Sequence, residues 1–206
     1  VRIGKKQKNM APTTVLNNLS FVRRIFNDAM EAKDVEEKFY PFGKTGMELK
    51  APETAKDGLT IADVKAIESV ELTNPKYNHA RNLWLISFYF GGMRASDVLR
   101  LKWSDFRGNR LHYTMGKNTK TGSVMIVKSI VEKVSDILAQ YESGKRGPND
   151  FIFPDLKELP SLTNKIEVKK FLSIRVSAIS TLLRNYVASK AGLIHKLTMH
   201  IARHTF

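Results

Sequence analysis

Residues 91–105 read Gly91-Gly92-Met93-Arg94-Ala95-Ser96-Asp97-Val98-Leu99-Arg100-Leu101-Lys102-Trp103-Ser104-Asp105. Directly before them, residues 79–90 (HARNLWLISFYF) are strongly apolar and long enough for a buried helix. Gly91-Gly92 would end that helix, because glycine adopts the left-handed backbone of a C-terminal cap at little cost. A short helix is predicted to begin near Ser96 and cover Asp97 to Leu101. Arg94 therefore emerges where a buried helix ends. Such an arginine needs a partner: Asp97 in a structural ion pair, or a ligand that carries negative charge.

Toward the N-terminus, Thr60 and Asp63 make a capping signal for a helix over Ile61–Val70, and Thr73-Asn74-Pro75 breaks the chain. Val15, Leu19, Val22, Ile25, Phe26, Ala29 and Met30 recur at helical spacing, so residues 12–40 read as helical up to Pro41-Phe42-Gly43. Residues 46–58, with Gly46, Pro52 and Gly58, read as a linker. The predicted organisation is a helical unit at 1–45, the linker at 46–58, and a second domain at 59–206.

Toward the C-terminus the period changes. Leu111–Met115 and Ser123–Val127 are β-prone and flank a polar turn, Gly116–Gly122, which is a hairpin signal. Residues 129–141 return to helical spacing. Phe151–Pro154 reads as a short extended piece, and residues 166–190 as one long amphipathic helix with Gly192 at its C-cap. Thr198 is placed as the cap of a last helix starting at Met199. The predicted fold class is mainly α with a small antiparallel β-hairpin sheet (α+β).

Charge narrows the function. The 206 residues carry 34 Lys and Arg against 20 Asp and Glu, a net +14, with a sequence pI near 9.9. The excess is clustered. Residues 1–24 hold six basic residues and no acid, residues 107–128 five and none, and residues 161–206 eight against the single acid Glu167. Clustered cations suit a polyanion, whose counterions are released on binding; a solvated basic surface is the plainer alternative. With no cysteine, disulfides and thiolate metal sites are excluded. No run of 18 apolar residues exists, so a membrane partner is not expected.

Four features then stand in order: the segment 91–105 with Arg94 and Asp97; Lys120 in the turn Gly116-Lys117-Asn118-Thr119-Lys120-Thr121-Gly122; His200; and Arg203, followed by His204-Thr205-Phe206. These residues resemble the tyrosine recombinase, or phage integrase, family. The first matches its G-x-R-x-S-[DE]-x-x-x-L-x-W-x-D segment and the last its H-x-x-R-H-T-F segment. The resemblance covers roughly residues 56–206 and extends to integrases of mobile elements in Bacteroides-type bacteria. It implies an integrase-like catalytic domain, with residues 12–40 as the closing helices of a DNA-binding core-binding domain.

What the resemblance implies is chemically coherent. A phosphodiester under attack gathers negative charge on its non-bridging oxygens, and two arginines grip them through bidentate, permanently charged donors. Arg94 and Arg203 fit that role. His200 adds a hydrogen bond or a proton. Lys120 reaches from the hairpin to protonate the departing 5′ oxygen, with Lys117 as its competitor. Asp97 and His204 support, while Lys117, Asn118, Arg23 and Arg24 face DNA. Taken alone, His200 and His204 could equally be core or capping histidines. A covalent 3′-phosphotyrosyl intermediate stores the bond energy, so no cofactor and no metal are expected. The expected partner is double-stranded DNA, gripped by a tetramer across two sites in the bacterial cytoplasm, for integration or excision of a mobile element. None of the six tyrosines follows His200, where the family places its nucleophile. The expectation is therefore a stretch that binds DNA without cleaving it, drawn from a parent enzyme. The alternative is a DNA-binding regulator or integrase remnant without catalysis.

Overall fold

The computed structural model describes residues 10–44, 46–52, 58–115, 125–142, 144, 147–159 and 162–206. The chain divides into two compact units, Val1–Ala55 and Lys56–Phe206.

In the first unit, α1 spans Pro12–Glu31 with proline in its first turn, where no amide hydrogen is needed. The helix stops well before residue 40. Lys33 takes a left-handed backbone, φ +63°, and the Lys33 and Asp34 amides bond to the Met30 and Ala29 carbonyls. This closure normally carries glycine, and no glycine marks it here. A short 3-10 turn, Glu37–Phe39, follows, and Phe42 buries itself edge-on against Phe26 and Tyr40.

The second unit is built round one buried helix. α2, Ile61–Ser69, starts with the capping box the sequence implied: Thr60 Oγ1 accepts from the Asp63 amide and the Asp63 carboxylate from the Thr60 amide. α3, Pro75–Tyr89, begins earlier than expected. Asn74-Pro75 is the start of this helix: Asn74 Oδ1 caps the Lys76 amide and Pro75 takes the first position. From Ala80 onward α3 is buried on almost every side, and Trp84, fully buried, stacks on Phe88. Burial of that kind supplies most of the stability of a domain this size.

Gly91 and Gly92 both adopt left-handed backbone, φ +72° and +68°, and turn the chain into α4, Ala95–Val98. The sheet has three antiparallel strands in sequence order: β1 Phe106–Arg107, β2 Arg110–Thr114 and β3 Met125–Ser129. The hairpin is as expected, with Leu111 paired to Lys128 and Thr114 to Met125, but β3 ends two residues beyond the predicted strand. β1 is an addition, too short to carry a periodicity.

α5, Glu132–Ala139, follows. A polar network ties its end to α3. Asn82 donates to Gln140 and to the Tyr141 oxygen, the Tyr141 hydroxyl meets His79 Nδ1 at 2.8 Å, and His79 Nε2 meets the buried Asp155 at 2.9 Å. Burial pushes Tyr141 up to about 12.

The long C-terminal helix is interrupted. α6 covers Lys165–Leu182 with Asn164 capping two amides; a π-helical turn, Leu183–Val187, follows, then α7, Ala188–Lys190, with Gly192 left-handed beyond it. The last helix, α8, spans Ile201–Thr205, two residues later than expected, with His200 rather than Thr198 at its N-cap. Among the described residues no helix is long and apolar enough to cross a membrane.

Candidate active site

Arg94 is the residue before α4 and Arg203 lies inside α8, 109 positions later in the chain. The fold joins them through Gly92. Arg203 Nη1 donates to the Gly92 carbonyl at 3.1 Å, and a Cβ on Gly92 would lie 2.8 Å from Arg203 Cα. Both the left-handed backbone and this approach require glycine. Arg203 is thus tied to backbone only two residues from Arg94.

Together with His200, the two arginines line a cavity of about 1160 Å³ between α4, α6 and the segment before α8. Arg100, Lys165, Lys169 and Arg184 line it as well, and no acidic side chain does among the described residues. Such a cavity attracts anions.

His200 stands against His204, ring centroids 4.5 Å apart and nearly perpendicular. Burial holds the His200 pKa below its ordinary value, and the charges of His204 and Arg203 press it the same way. Asp97 is buried on α4, one turn from Arg94.

Lys117, Asn118 and Lys120 lie outside the described residues. The stem of their hairpin is on the site, however: Met115 Sδ sits 3.4 Å from Arg94 Nη1. Arg23 and Arg24 lie exposed on α1, in the other unit, where Arg24 faces Asp28 at 4.0 Å. The structure thus brings Arg94, His200, Arg203 and His204 together.

Tyr113 is a neighbour that sequence reasoning missed. It is half-buried, and its hydroxyl pKa is raised first by burial and then by the Asp97 charge, against a lowering pull from Arg203 and Arg94. A signal for it exists in the sequence. Leu111 and Tyr113 alternate along β2, so Tyr113 shares the face that Leu111 buries, and Met115 follows the same alternation just past the strand.

A family model described as the phage integrase family matches residues 59–206. No curated protein matches the chain. Among solved structures, the Tn1549 transposon integrase (residues 82–397, in complex with circular intermediate DNA) superposes with a TM-score of 0.64 at 19% identity. That likeness covers 97% of this chain and 66% of the other, so this chain spans just under two thirds of its length, and it shows a shared fold. The XerA recombinase is also similar, with a TM-score of 0.48 at 17% identity over 98% of this chain and 69% of that one.

Proposed function

The chain belongs to the phage integrase family, and from that membership we propose that it carries the phosphate-gripping site of a tyrosine recombinase acting on double-stranded DNA. The observation that carries this reading is the Gly92 junction. Arg203 bonds there, two residues from Arg94, and both arginines line with His200 a cavity that no carboxylate lines among the described residues.

In the proposed reaction Arg94 and Arg203 hold the non-bridging oxygens of one phosphodiester and stabilise the charge that grows there during attack. His200 donates a hydrogen bond to the same phosphate. A tyrosine attacks phosphorus. The bond to the 5′ oxygen breaks, and Lys120, or Lys117 in its place, gives that oxygen a proton. The 3′-phosphotyrosyl bond then accepts a 5′ hydroxyl from another strand, which releases the tyrosine and rejoins the DNA. No net hydrolysis occurs, so no external energy source is needed. Asp97 and His204 hold the arginine and histidine in place, while Asn118, Arg23 and Arg24 contact DNA. Residues 1–45 serve as part of a core-binding domain, 46–58 as linker and 59–206 as the catalytic domain. The biological role is integration or excision of a mobile element, carried out in the bacterial cytoplasm by a tetramer across two DNA sites.

The test uses the complete product of the gene with pooled DNA from its host element, and detects protein–DNA adducts that survive denaturant. The complete product should form them. Arg94→Ala and Arg203→Ala should lower the rate of adduct formation by roughly a hundredfold or more, as loss of a transition-state donor does. Tight binding by the complete product with no adduct from any DNA pool would instead mark a non-catalytic DNA-binding protein.

A further inference from the structure

α8 has five residues. A helix that short does not hold itself together in water, because too few hydrogen bonds follow its nucleation. Yet it bears Arg203 and is preceded by His200. Its place must be imposed from outside.

Packing on α3, with Ala202 buried, and three hydrogen-bonded contacts impose it. Ser180 Oγ on α6 accepts from the Met199 amide at 3.4 Å, just ahead of the helix. The Gly92 carbonyl accepts from Arg203 Nη1 in its middle. At its end Thr205 makes two bonds with one hydroxyl: it donates to the Ile201 carbonyl at 2.9 Å and accepts from the Leu59 amide at 3.0 Å. Beside that bond the backbones almost touch. A Cβ on Gly58 would stand 2.8 Å from the His204 carbonyl oxygen and 3.1 Å from Thr205 Cα. Leu59 itself is buried. The chain entering α2 therefore lies across the last turn of α8.

We infer that Thr205 is a positioning residue: its hydroxyl anchors α8 to residues 58–59 and so sets where His200 and Arg203 stand relative to Arg94. The inference rests on the reading of those three residues as the phosphate grip. A hydroxyl suits the task because it donates and accepts at once. Valine has the same shape and neither capacity, and would leave the Leu59 amide without its partner in a part-buried place. Serine keeps both bonds. Gly58 is the steric half of the device, since any side chain there would push α8 away.

The test compares wild type, Thr205→Val and Thr205→Ser in the complete gene product. It reads the rate of adduct formation at saturating duplex, the duplex affinity, and amide hydrogen exchange. Thr205→Val should slow adduct formation by roughly ten- to a hundredfold, the effect expected of a small misplacement. Duplex affinity should stay within about threefold of wild type, since neither threonine nor valine carries a charge that neutralises phosphate. Exchange should quicken at Leu59 and across residues 201–206 while α3 stays protected. Thr205→Ser should recover the rate to within about threefold, and Gly58→Ala should slow it as valine does.

The inference is overturned if Thr205→Val keeps the wild-type rate. It is equally overturned if serine rescues nothing, or if exchange quickens through α3, which would mean general destabilisation. Absence of any adduct in wild type would remove the recombinase reading alone. The exchange pattern would then still decide: local loosening supports the anchor, and unchanged exchange refutes it.

Discussion

Burial, His204 and Arg203 all disfavour a proton on His200. The folded protein binds that proton less tightly than an unfolded histidine, whose reference value is 6.5. As pH falls below about 6.5 the unfolded state takes up more protons than the folded one, so acid costs stability there. The contribution is whole above the unfolded pKa and is lost as pH falls through the lower, folded one. A bound phosphate should reverse the balance, because it rewards the charged ring. NMR titration of the ring carbons should give a His200 midpoint below the ordinary histidine value in the free protein. His204→Gln should raise it part of the way, leaving the burial effect behind. An unchanged midpoint in His204→Gln would mean that the perpendicular ring contact has no electrostatic weight. Arg94, His200 and Arg203, far apart in the sequence, line one cavity in the structure. Tyr113 and the Gly92 carbonyl were not legible from the motifs: a carbonyl leaves no trace in residue type, and Tyr113 needed the alternation of β2 to be extended toward the turn.

Elements were legible where one residue type has one meaning. Thr60 with Asp63, the pair Gly91-Gly92, and Gly192 each mark a helix end in sequence and do so in the structure. Asn74-Pro75 has two meanings, stop and start, and only the packing of α3 selects the second. Lys33 closes α1 with no local signal at all. The π turn at Leu183–Val187 is likewise silent, because one accommodated extra residue barely disturbs apolar spacing. Two glycines allow the cost of left-handed backbone to be separated from that of crowding. At Gly192, φ +68°, a Cβ would meet nothing within 4 Å, so Gly192→Ala should lose about 1 kcal/mol from backbone strain alone. Gly92 has the same φ but would also drive a Cβ against Arg203 Cα, so Gly92→Ala should lose roughly 2–5 kcal/mol. Urea unfolding of both variants measures the difference. Equal losses would show that α8 yields to the added methyl rather than resisting it.

At the scale of the whole molecule, the net charge of +14 and its clustering are the features that reach furthest from the site. They predict that duplex affinity falls steeply with salt. For six or more phosphate contacts the loss between 50 and 200 mM salt should be about a thousandfold or more, and a log–log slope shallower than about −2 would contradict an electrostatic clamp. Composition alone conveyed that much. It could not convey how the site is assembled, because assembly depends on contacts between distant parts of the chain. The Gly92–Arg203 bond spans 111 residues and the Leu59–Thr205 bond spans 146. The second figure has a consequence in time. On a ribosome adding about 5–20 residues per second, Leu59 is made roughly 7 to 30 seconds before the threonine that takes its amide. In the later part of that interval α3 and the strands of the sheet have been made, while Arg203 does not yet exist. The bond between Arg203 and the Gly92 carbonyl is therefore among the last to close, after the rest of the fold is ready to hold it.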